Sequence, residues 1–131
     1  MSLPAAELVE VLRAAGEATR LRILQLLARE ELAVAELVRI LGQSQPRVSH
    51  HLRVLARAGL VERFPDGAWV FYRLAADGPT AALAAEVLRR LDAADYAASL
   101  RVLADAGFDG PLALVFEGPG DDAWAGMADE R

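Results

Sequence analysis

Arginine, histidine, glutamine and serine are concentrated between residues 43 and 73 of this chain, and Arg47, His50, Arg53 and Arg57 recur there at helical spacing. Arginine binds phosphates, and its guanidinium can donate two hydrogen bonds to guanine in the DNA major groove. Glutamine pairs with adenine in a similar way. The residues that we predict to contact DNA are Ser44, Gln45, Arg47, Ser49, His50, Arg53, Arg57, Arg63 and Arg73.

Two short amphipathic helices that meet at Gly42 would position most of these side chains. We predict the first over about residues 35–41. The second begins after Ser44, which can cap it, and ends at Gly59. Its apolar stripe is expected to be buried and consists of Val48, Leu52 and Leu55. A helix that buries one stripe and presents arginines on the opposite face is typical of a recognition helix in the major groove.

Position along this second helix indicates the role of each side chain. Side chains on its first two turns reach base edges, and these are Gln45, Arg47, Ser49 and His50. Near its C-terminus, Arg53 and Arg57 reach phosphates or stay in solvated ion pairs. Ser44 caps the helix and can also donate to a phosphate. His51 lies nearer the buried side and is expected to pack there.

A β-hairpin is predicted directly after this helix. Two strand-like runs, residues 60–64 and 69–74, flank Pro65-Asp66-Gly67, which is a strong turn signal. The residues of one parity are expected to face inward, namely Val70, Tyr72 and Leu74. Arg63 and Arg73 flank the hairpin and are expected to contact the neighbouring minor groove or backbone. Trp69 is expected to make a cross-strand aromatic contact.

Further helices are predicted on both sides of this unit: residues 3–15, residues 20–29 with Thr19 as the cap, and one long helix over 80–103. The apolar stripe of the helix over 20–29 includes Leu21, with Arg22 and Gln25 outside it. The apolar stripe of the long helix needs a partner. A second copy of the chain is the simplest partner, and the alternative is that this helix folds back on its own domain. The predicted dimer interface consists of Leu8, Leu12, Leu83, Val87, Leu91 and Ala94.

The predicted fold is mainly α with a small β-hairpin: a winged helix-turn-helix with N- and C-terminal dimerisation helices over residues 1–103. Residues 104–131 are assigned to a divergent acidic C-terminal extension, to which we assign no structure. The 131 residues, 54% of them hydrophobic, are enough for one folded domain. Neither a membrane-spanning run nor a signal peptide is found, so we expect a cytoplasmic protein with no membrane partner.

Charge is divided unevenly along the chain, whose net charge is −5. Residues 1–74 carry ten arginines against eight carboxylates, giving +2, and residues 75–131 carry four against eleven, giving −7. Between residues 43 and 73, five arginines stand against only Glu62 and Asp66. Because the local field steers a protein to phosphate, the acidic total does not exclude DNA as a partner.

The order of these elements resembles the ArsR/SmtB family of bacterial repressors. The motifs that carry the resemblance lie at residues 16–24 (with Ala18 where a proline is common), 31–37, 45–55, 58–61 and 66–74. The resemblance covers about residues 5–100 and excludes the last thirty. It implies a homodimer joined through the first and last helices. Such a dimer binds a double-stranded operator, expected to be an inverted repeat, and an inducer releases it.

The metal sites that the resemblance implies are not matched in this sequence. Ala33 and Ala35 occupy the positions of the two cysteines of the family's thiolate sensors, and the chain has no cysteine. The last helix carries three carboxylates but no histidine to complete a metal site, namely Glu86, Asp92 and Asp95. This pattern favours a solvated helix face. His50 and His51 diverge by about 100° on a helix, which is poor geometry for one ion. We therefore expect no metal, no cofactor and no thiol switch.

Three kinds of control stay open: a small organic inducer bound near the dimer interface, constitutive repression, and a partner that engages the C-terminal tail. Catalysis is not expected. Every histidine lies in the predicted recognition helix, and the chain lacks a glycine-rich phosphate loop and a paired carboxylate site. The competing function is a winged-helix module that binds another protein and is regulated through its C-terminal tail.

Overall fold

The computed structural model describes residues 2–91, 93–105 and 107 of the chain. Its elements in chain order are α1 (Ala5–Ala15), α2 (Ala18–Leu27), β1 (Leu32–Ala33), α3 (Val34–Leu41), α4 (Gln45–Arg57), β2 (Val61–Asp66), β3 (Trp69–Leu74), α5 (Pro79–Arg89) and α6 (Ala93–Asp105). Helices that surround a small antiparallel sheet in this order confirm the predicted winged helix-turn-helix. No helix among the described residues is long and apolar enough to cross a membrane.

The helix-turn-helix consists of α3, α4 and the turn between them. Gly42 has φ 66° and ψ 26°, a left-handed conformation that glycine adopts at little cost, so the predicted turn residue is confirmed. The Ser44 hydroxyl accepts a hydrogen bond from the backbone N–H of Arg47 at 3.4 Å, which confirms the predicted cap of α4. The Glu36 carboxylate accepts from the backbone N–H of Ala33 at 2.8 Å and holds the start of α3.

The hairpin is present, but its turn differs from the prediction. Strand β2 continues through Pro65 and Asp66, and the turn is the two-residue connection Gly67-Ala68. Gly67 has φ 66°, which such tight turns favour. Strand β2 lies at the edge of the sheet, so the backbone N–H that Pro65 lacks is not needed for a hydrogen bond between strands. The sheet also has a third strand that we did not predict, since β1 pairs with β3 and places Leu32 opposite Tyr72.

Helix α2 lies at the centre of the domain and packs against α1, α4, β3 and α6. We predicted Leu21 in its buried stripe, with Arg22 and Gln25 outside. Leu21 is only half-buried, whereas Arg22 and Gln25 are 1% and 3% exposed. A helix covered on several sides also buries its polar positions, so the prediction of a one-sided helix was wrong.

The cap of α2 is Glu17 and not the predicted Thr19. The Glu17 carboxylate accepts from the backbone N–H of Arg20 at 2.8 Å, and the helix begins at Ala18. The Thr19 hydroxyl is buried and accepts a hydrogen bond from the Gln43 amide at 3.2 Å. Thr19 therefore connects α2 to the turn of the helix-turn-helix.

The predicted long helix over residues 80–103 is two helices, so that prediction was wrong. At the end of α5, the N–H groups of Arg90 and Leu91 bond to carbonyls three residues back, at 3.1 and 3.3 Å. This tightening ends the helix. Helix α6 then folds back on α2, so that the fold-back alternative holds for this segment; its buried residues include Ala98, Val102 and Leu103. Residues 108–131, which make up most of the predicted acidic extension, lie outside the described residues.

Candidate nucleic-acid interface

Helix α4 separates an apolar face from a polar face. Val48, Leu52 and Leu55 are fully buried, as predicted. The predicted contact residues on this helix are exposed, except that Ser49 is half-buried; the exposed ones are Ser44, Gln45, Arg47, His50, Arg53 and Arg57. At about 100° per residue they cover a continuous arc of the helix. A helix whose apolar face is fully buried therefore presents three guanidinium groups to solvent.

A groove of about 510 Å³ lies between α4 and the hairpin. Gln45, Ser49 and Arg53, which are spaced by one helical turn, line one wall. Arg63 lines the other, because it lies directly opposite Tyr72 in the sheet and so shares the inward face of the hairpin. The structure thus brings Arg53 and Arg63, predicted on different elements, into one groove. Two guanidinium groups in a groove suit a phosphate oxygen.

Arg73 lies on the opposite face of the hairpin from Arg63. Its side chain donates to the Glu62 carboxylate at 3.1 Å, and its guanidinium carbon lies 4.5 Å from the centre of the Phe64 ring. Glu62 and Arg73 are direct cross-strand partners, so the ion pair follows from the register. The two hairpin arginines that we predicted together are therefore separated, and Arg73 is held against the hairpin.

The aromatic cross-strand pair of the hairpin is Phe64 and Phe71, whose ring centroids are 5.7 Å apart. Trp69 lies opposite Asp66 and is 54% exposed, so the cross-strand aromatic contact that we predicted for it was wrong. Trp69 instead lines the groove beside α4.

A partly buried hydrogen-bond network joins α4 to α1 and α2. The Arg20 guanidinium lies 3.2 Å from Nδ1 of His51 and donates to the carbonyl of Ala14 at 2.6 Å. It also donates to the carbonyl of Arg13 at 3.4 Å. Since arginine can only donate, Nδ1 of His51 must accept and the histidine is neutral. We predicted that His51 would pack inward, but the sequence carries no signal for its partner, because Arg20 lies 31 residues away.

Burial lowers the pKa of His51 below its ordinary value of 6.5, because the charged ring loses contact with water. The Glu17 carboxylate, 3.9 Å from Nδ1, opposes this shift. The positive charges of Arg20 and Arg47 reinforce it, as does His50 when protonated. The folded protein thus favours the neutral ring that the hydrogen bond from Arg20 requires.

This lowered pKa makes stability depend on pH. Because the unfolded chain binds the proton more tightly, stability falls as pH drops through 6.5 and levels off below the pKa of the folded state. The variant His51→Gln keeps an acceptor for Arg20 but does not titrate. We expect the free energy of unfolding, measured in urea at about pH 7.5 and pH 5.5, to fall more in the wild type than in His51→Gln. An equal fall in both proteins would show that His51 is not the responsible group.

The residues predicted at a dimer interface lie on three elements. On α1, Leu8 and Leu12 are 36% and 52% exposed, and Val9 between them is also exposed, so the helix presents an apolar strip. Leu83, Val87 and Leu91, on and just after α5, are half-buried. Ala94 is exposed but belongs to α6, so it does not continue the stripe of α5 as predicted.

Comparison with known proteins agrees with this architecture. Residues 17–63 match the family model described as bacterial regulatory protein, arsR family. The chain is 41% identical over 69 residues to the uncharacterized HTH-type transcriptional regulator MJ1325 of Methanocaldococcus jannaschii, covering 52% of this chain and 78% of that protein. It is 46% identical over 66 residues to the HTH-type transcriptional regulator KmtR of Mycobacterium tuberculosis, covering 50% of this chain and 51% of KmtR.

Among solved structures, HlyU from Vibrio cholerae superposes with a TM-score of 0.59 at 36% sequence identity, covering 68% of this chain and 96% of that chain. The match extends over nearly all of HlyU but only about half of KmtR. The names of the two curated relatives describe regulators of transcription and not enzymes. On the motifs, the fold and these relatives, the chain belongs to the ArsR family of winged helix-turn-helix transcriptional regulators.

Proposed function

We propose that this chain is a homodimeric repressor that reads operator DNA through α4 and the hairpin of each copy. The observation that carries the proposal is the division of α4 into a fully buried stripe and an exposed face with Arg47, Arg53 and Arg57. Such a helix is rigid enough to position side chains against base edges. The names of the chain's relatives indicate the class of function, which is transcriptional regulation through a helix-turn-helix.

The proposed contacts divide by position on α4. Side chains of its first two turns read bases, with Gln45 suited to adenine, Arg47 to guanine, and Ser49 and His50 beside them. Ser44 and the backbone amides at the start of the helix bind a phosphate. Arg57, near the C-terminal end of the helix, also binds a phosphate.

The groove between α4 and the hairpin would take a backbone phosphate. Arg53 and Arg63 both line it, and phosphate contacts of this kind fix the protein's position without reading sequence. Arg73 reaches DNA only from the outer face of the hairpin, where it must loosen its ion pair with Glu62. We therefore propose a smaller role for Arg73 than for Arg63.

A second copy of the chain would cover the apolar strip of α1 formed by Leu8, Val9 and Leu12, together with α5. Leu83, Val87 and Leu91 complete this proposed interface, with Ala94 at its edge. Two-fold symmetry then presents two α4 helices to one duplex, so the operator is an inverted repeat. We propose residues 1–103 as the unit that dimerises and binds DNA, with the acidic residues 104–131 as an extension that makes no DNA contact.

Control by a signal other than a metal is part of the proposal. Ala33 and Ala35 line the groove beside α4, and alanine has no lone pair to offer a metal. A small molecule that releases the DNA, or constitutive repression, fits the chain better than a metal switch.

A gel-shift titration of duplex DNA at several salt concentrations tests this function. Binding through several arginines predicts a linear fall of the logarithm of affinity with the logarithm of salt concentration. The alternative, a winged-helix module that binds another protein and is regulated through its C-terminal tail, predicts no duplex binding from a stable dimer. Absence of binding to any duplex at low salt would contradict the proposed function.

A further inference from the structure

The arginines of α4 and of the groove beside it differ from other arginines of the domain in having no carboxylate partner. On the outer face of the hairpin, at the end of α5 and on α6, arginines pair with neighbouring carboxylates at 3.1, 2.9 and 3.3 Å; they are Arg73, Arg90 and Arg101. Within the described part of the chain, no ion pair involves the other group, which consists of Arg47, Arg53, Arg57 and Arg63. Positive charge is therefore unbalanced at α4 and its groove.

The groove between α4 and the hairpin combines this charge with apolar walls. Arg53 and Arg63 both line it, and its described lining contains no carboxylate. Apolar residues of the same lining include Val34, Val70 and the exposed Trp69. Two guanidinium groups beside apolar walls suit a segment that carries carboxylates next to an aromatic side chain.

The C-terminal extension of this chain has that composition. Residues 108–131 carry six carboxylates against one arginine. Three of the six lie within residues 117–124, which read Glu117-Gly-Pro-Gly-Asp-Asp-Ala-Trp124. This segment therefore combines negative charge with an aromatic side chain, and both suit the groove beside α4.

Helix α6, which precedes this segment in the chain, lies close enough to α4 for a contact within one copy. Helix α6 packs against α2, and α2 packs against α4. Packed helix axes are about 8–10 Å apart, so roughly 20 Å separate α6 from α4. Glu117 follows Gly107 by ten residues, which span at most about 35 Å when extended. The segment can therefore reach the groove of its own copy, and this contact requires no dimer.

We propose that residues 117–124 dock in the groove beside α4 of their own copy and compete with DNA for Arg53 and Arg63. The carboxylates of Asp121 and Asp122 bind the two guanidinium groups, and Trp124 lies against the apolar wall. The competition with DNA rests on the proposed function, whereas the docking itself does not.

Tethering makes even a weak contact of this kind effective. It raises the effective concentration of the segment to the order of 1 mM, so a contact with a dissociation constant of roughly 0.1 mM is occupied about nine-tenths of the time. DNA binds only the open groove, and its apparent affinity falls in proportion to the open fraction. The docked segment therefore weakens DNA binding about tenfold.

A spin label tests the docking without any DNA. The chain has no cysteine, so Ala123→Cys gives the full-length protein a single attachment site for a nitroxide. At low salt, we expect the label to broaden the backbone amide resonances of Arg53 and Arg63 in the NMR spectrum. Salt at about 1 M should remove the broadening, because the Debye length falls to about 3 Å. Sharp resonances of these two amides at low salt would overturn the docking.

Two full-length variants of the labelled protein test the role of charge. The segment variant neutralises the carboxylates of residues 117–124 through Glu117→Gln, Asp121→Asn and Asp122→Asn. The flanking variant removes three charges from the same extension through Asp109→Asn, Asp129→Asn and Glu130→Gln. We expect the segment variant to lose the broadening and the flanking variant to keep it. Broadening that survives in the segment variant, or that is lost equally in both, would overturn the proposed contact.

A mixed sample tests whether the segment docks within its own copy. One copy carries the spin label, and only the other is isotopically enriched and visible in the spectrum. We expect the amides of Arg53 and Arg63 to stay sharp in this sample. Broadening in the mixed sample as strong as within one copy would overturn docking in the same copy.

The competition with DNA has its own measurement. In a gel shift at low salt, the segment variant should bind duplex DNA about tenfold more tightly than the wild type, and the flanking variant less than about threefold more tightly. Equal gains in the two variants would indicate general charge repulsion and overturn the competition, as would no gain in either. If none of the three proteins bound any duplex, the proposed function would fail, while the spin-label result would still decide the docking.

Discussion

Replacing Arg47 with alanine weakens binding to the specific operator by about 1–3 kcal/mol, roughly 5- to 150-fold. Arg47 is exposed on the first turn of α4, and its own backbone N–H is fixed by the Ser44 cap. A guanidinium in this position can bind guanine with two hydrogen bonds, and a wrong or missing partner leaves those acceptors unsatisfied. The measurement is a gel-shift titration with a duplex selected by the wild-type protein from a random pool, alongside an unrelated duplex.

The matched control is Arg57→Ala, which removes the same charge from the same exposed helix. Arg57 lies near the C-terminus of α4 and contacts a phosphate in our proposal. Its loss therefore weakens binding to both duplexes alike, and it lowers by about one the slope of log affinity against log salt concentration. Arg47→Ala, in contrast, weakens binding to the selected duplex more than binding to the unrelated one. Unchanged operator binding by Arg47→Ala would show that α4 is placed wrongly on the DNA.

Replacing Leu12 with aspartate separates the proposed dimer and weakens operator binding with it. Leu12 is 52% exposed in the single chain and lies on the apolar strip of α1 with Leu8 and Val9. In a two-fold interface the substitution places two carboxylates against apolar surface, which costs several kcal/mol. We expect the dimer dissociation constant to rise by at least about 100-fold. Sedimentation measurements of the wild type and the variant at matched concentrations would show the change.

Folding of the single chain is expected to survive this change, because half of the Leu12 side chain is already in solvent. The control is Ala6→Asp, which adds the same charge to another exposed position of α1, about 120° around the helix from Leu12. It should leave the dimer intact. A wild-type protein that is monomeric at micromolar concentration, or a dimer that tolerates Leu12→Asp, would contradict the proposed interface.

The helix-turn-helix was predictable because each of its signals is local. The apolar period of α4, the Ser44 cap and the left-handed Gly42 all depend on residues within a few positions of one another. The parts that sequence reasoning missed depend on distant partners. Strand β1 has two residues, too few for a periodic pattern, and exists only because β3 lies beside it. Helix α6 was missed because its packing against α2, and not its composition, turns the chain back.

Within the candidate site, too, the features set by neighbouring residues were predictable and those set by distant residues were not. Residues on α4 could be assigned to one face from their spacing alone. The distance of Arg63 and Arg73 from the turn did not show which face of the hairpin each occupies. The alternation of side chains along the two strands would have placed them on opposite faces. Any hairpin loop with an even number of residues places Arg63 on the face of Val70 and Tyr72, opposite to Arg73. The contact between Arg20 and His51 had no such signal, because it joins two helices far apart in the chain.

In the proposed complex, two identical copies lay their α4 helices into successive major grooves of one duplex. Methylation interference measures this directly, because methylation of guanine N7 blocks a major-groove contact without altering the minor groove. We predict two symmetric clusters of interfering guanines, centred about one helical turn (roughly 10 base pairs) apart on one side of the duplex. A single cluster, or binding that is indifferent to methylation at N7, would show that the two α4 helices do not bind the duplex in this way.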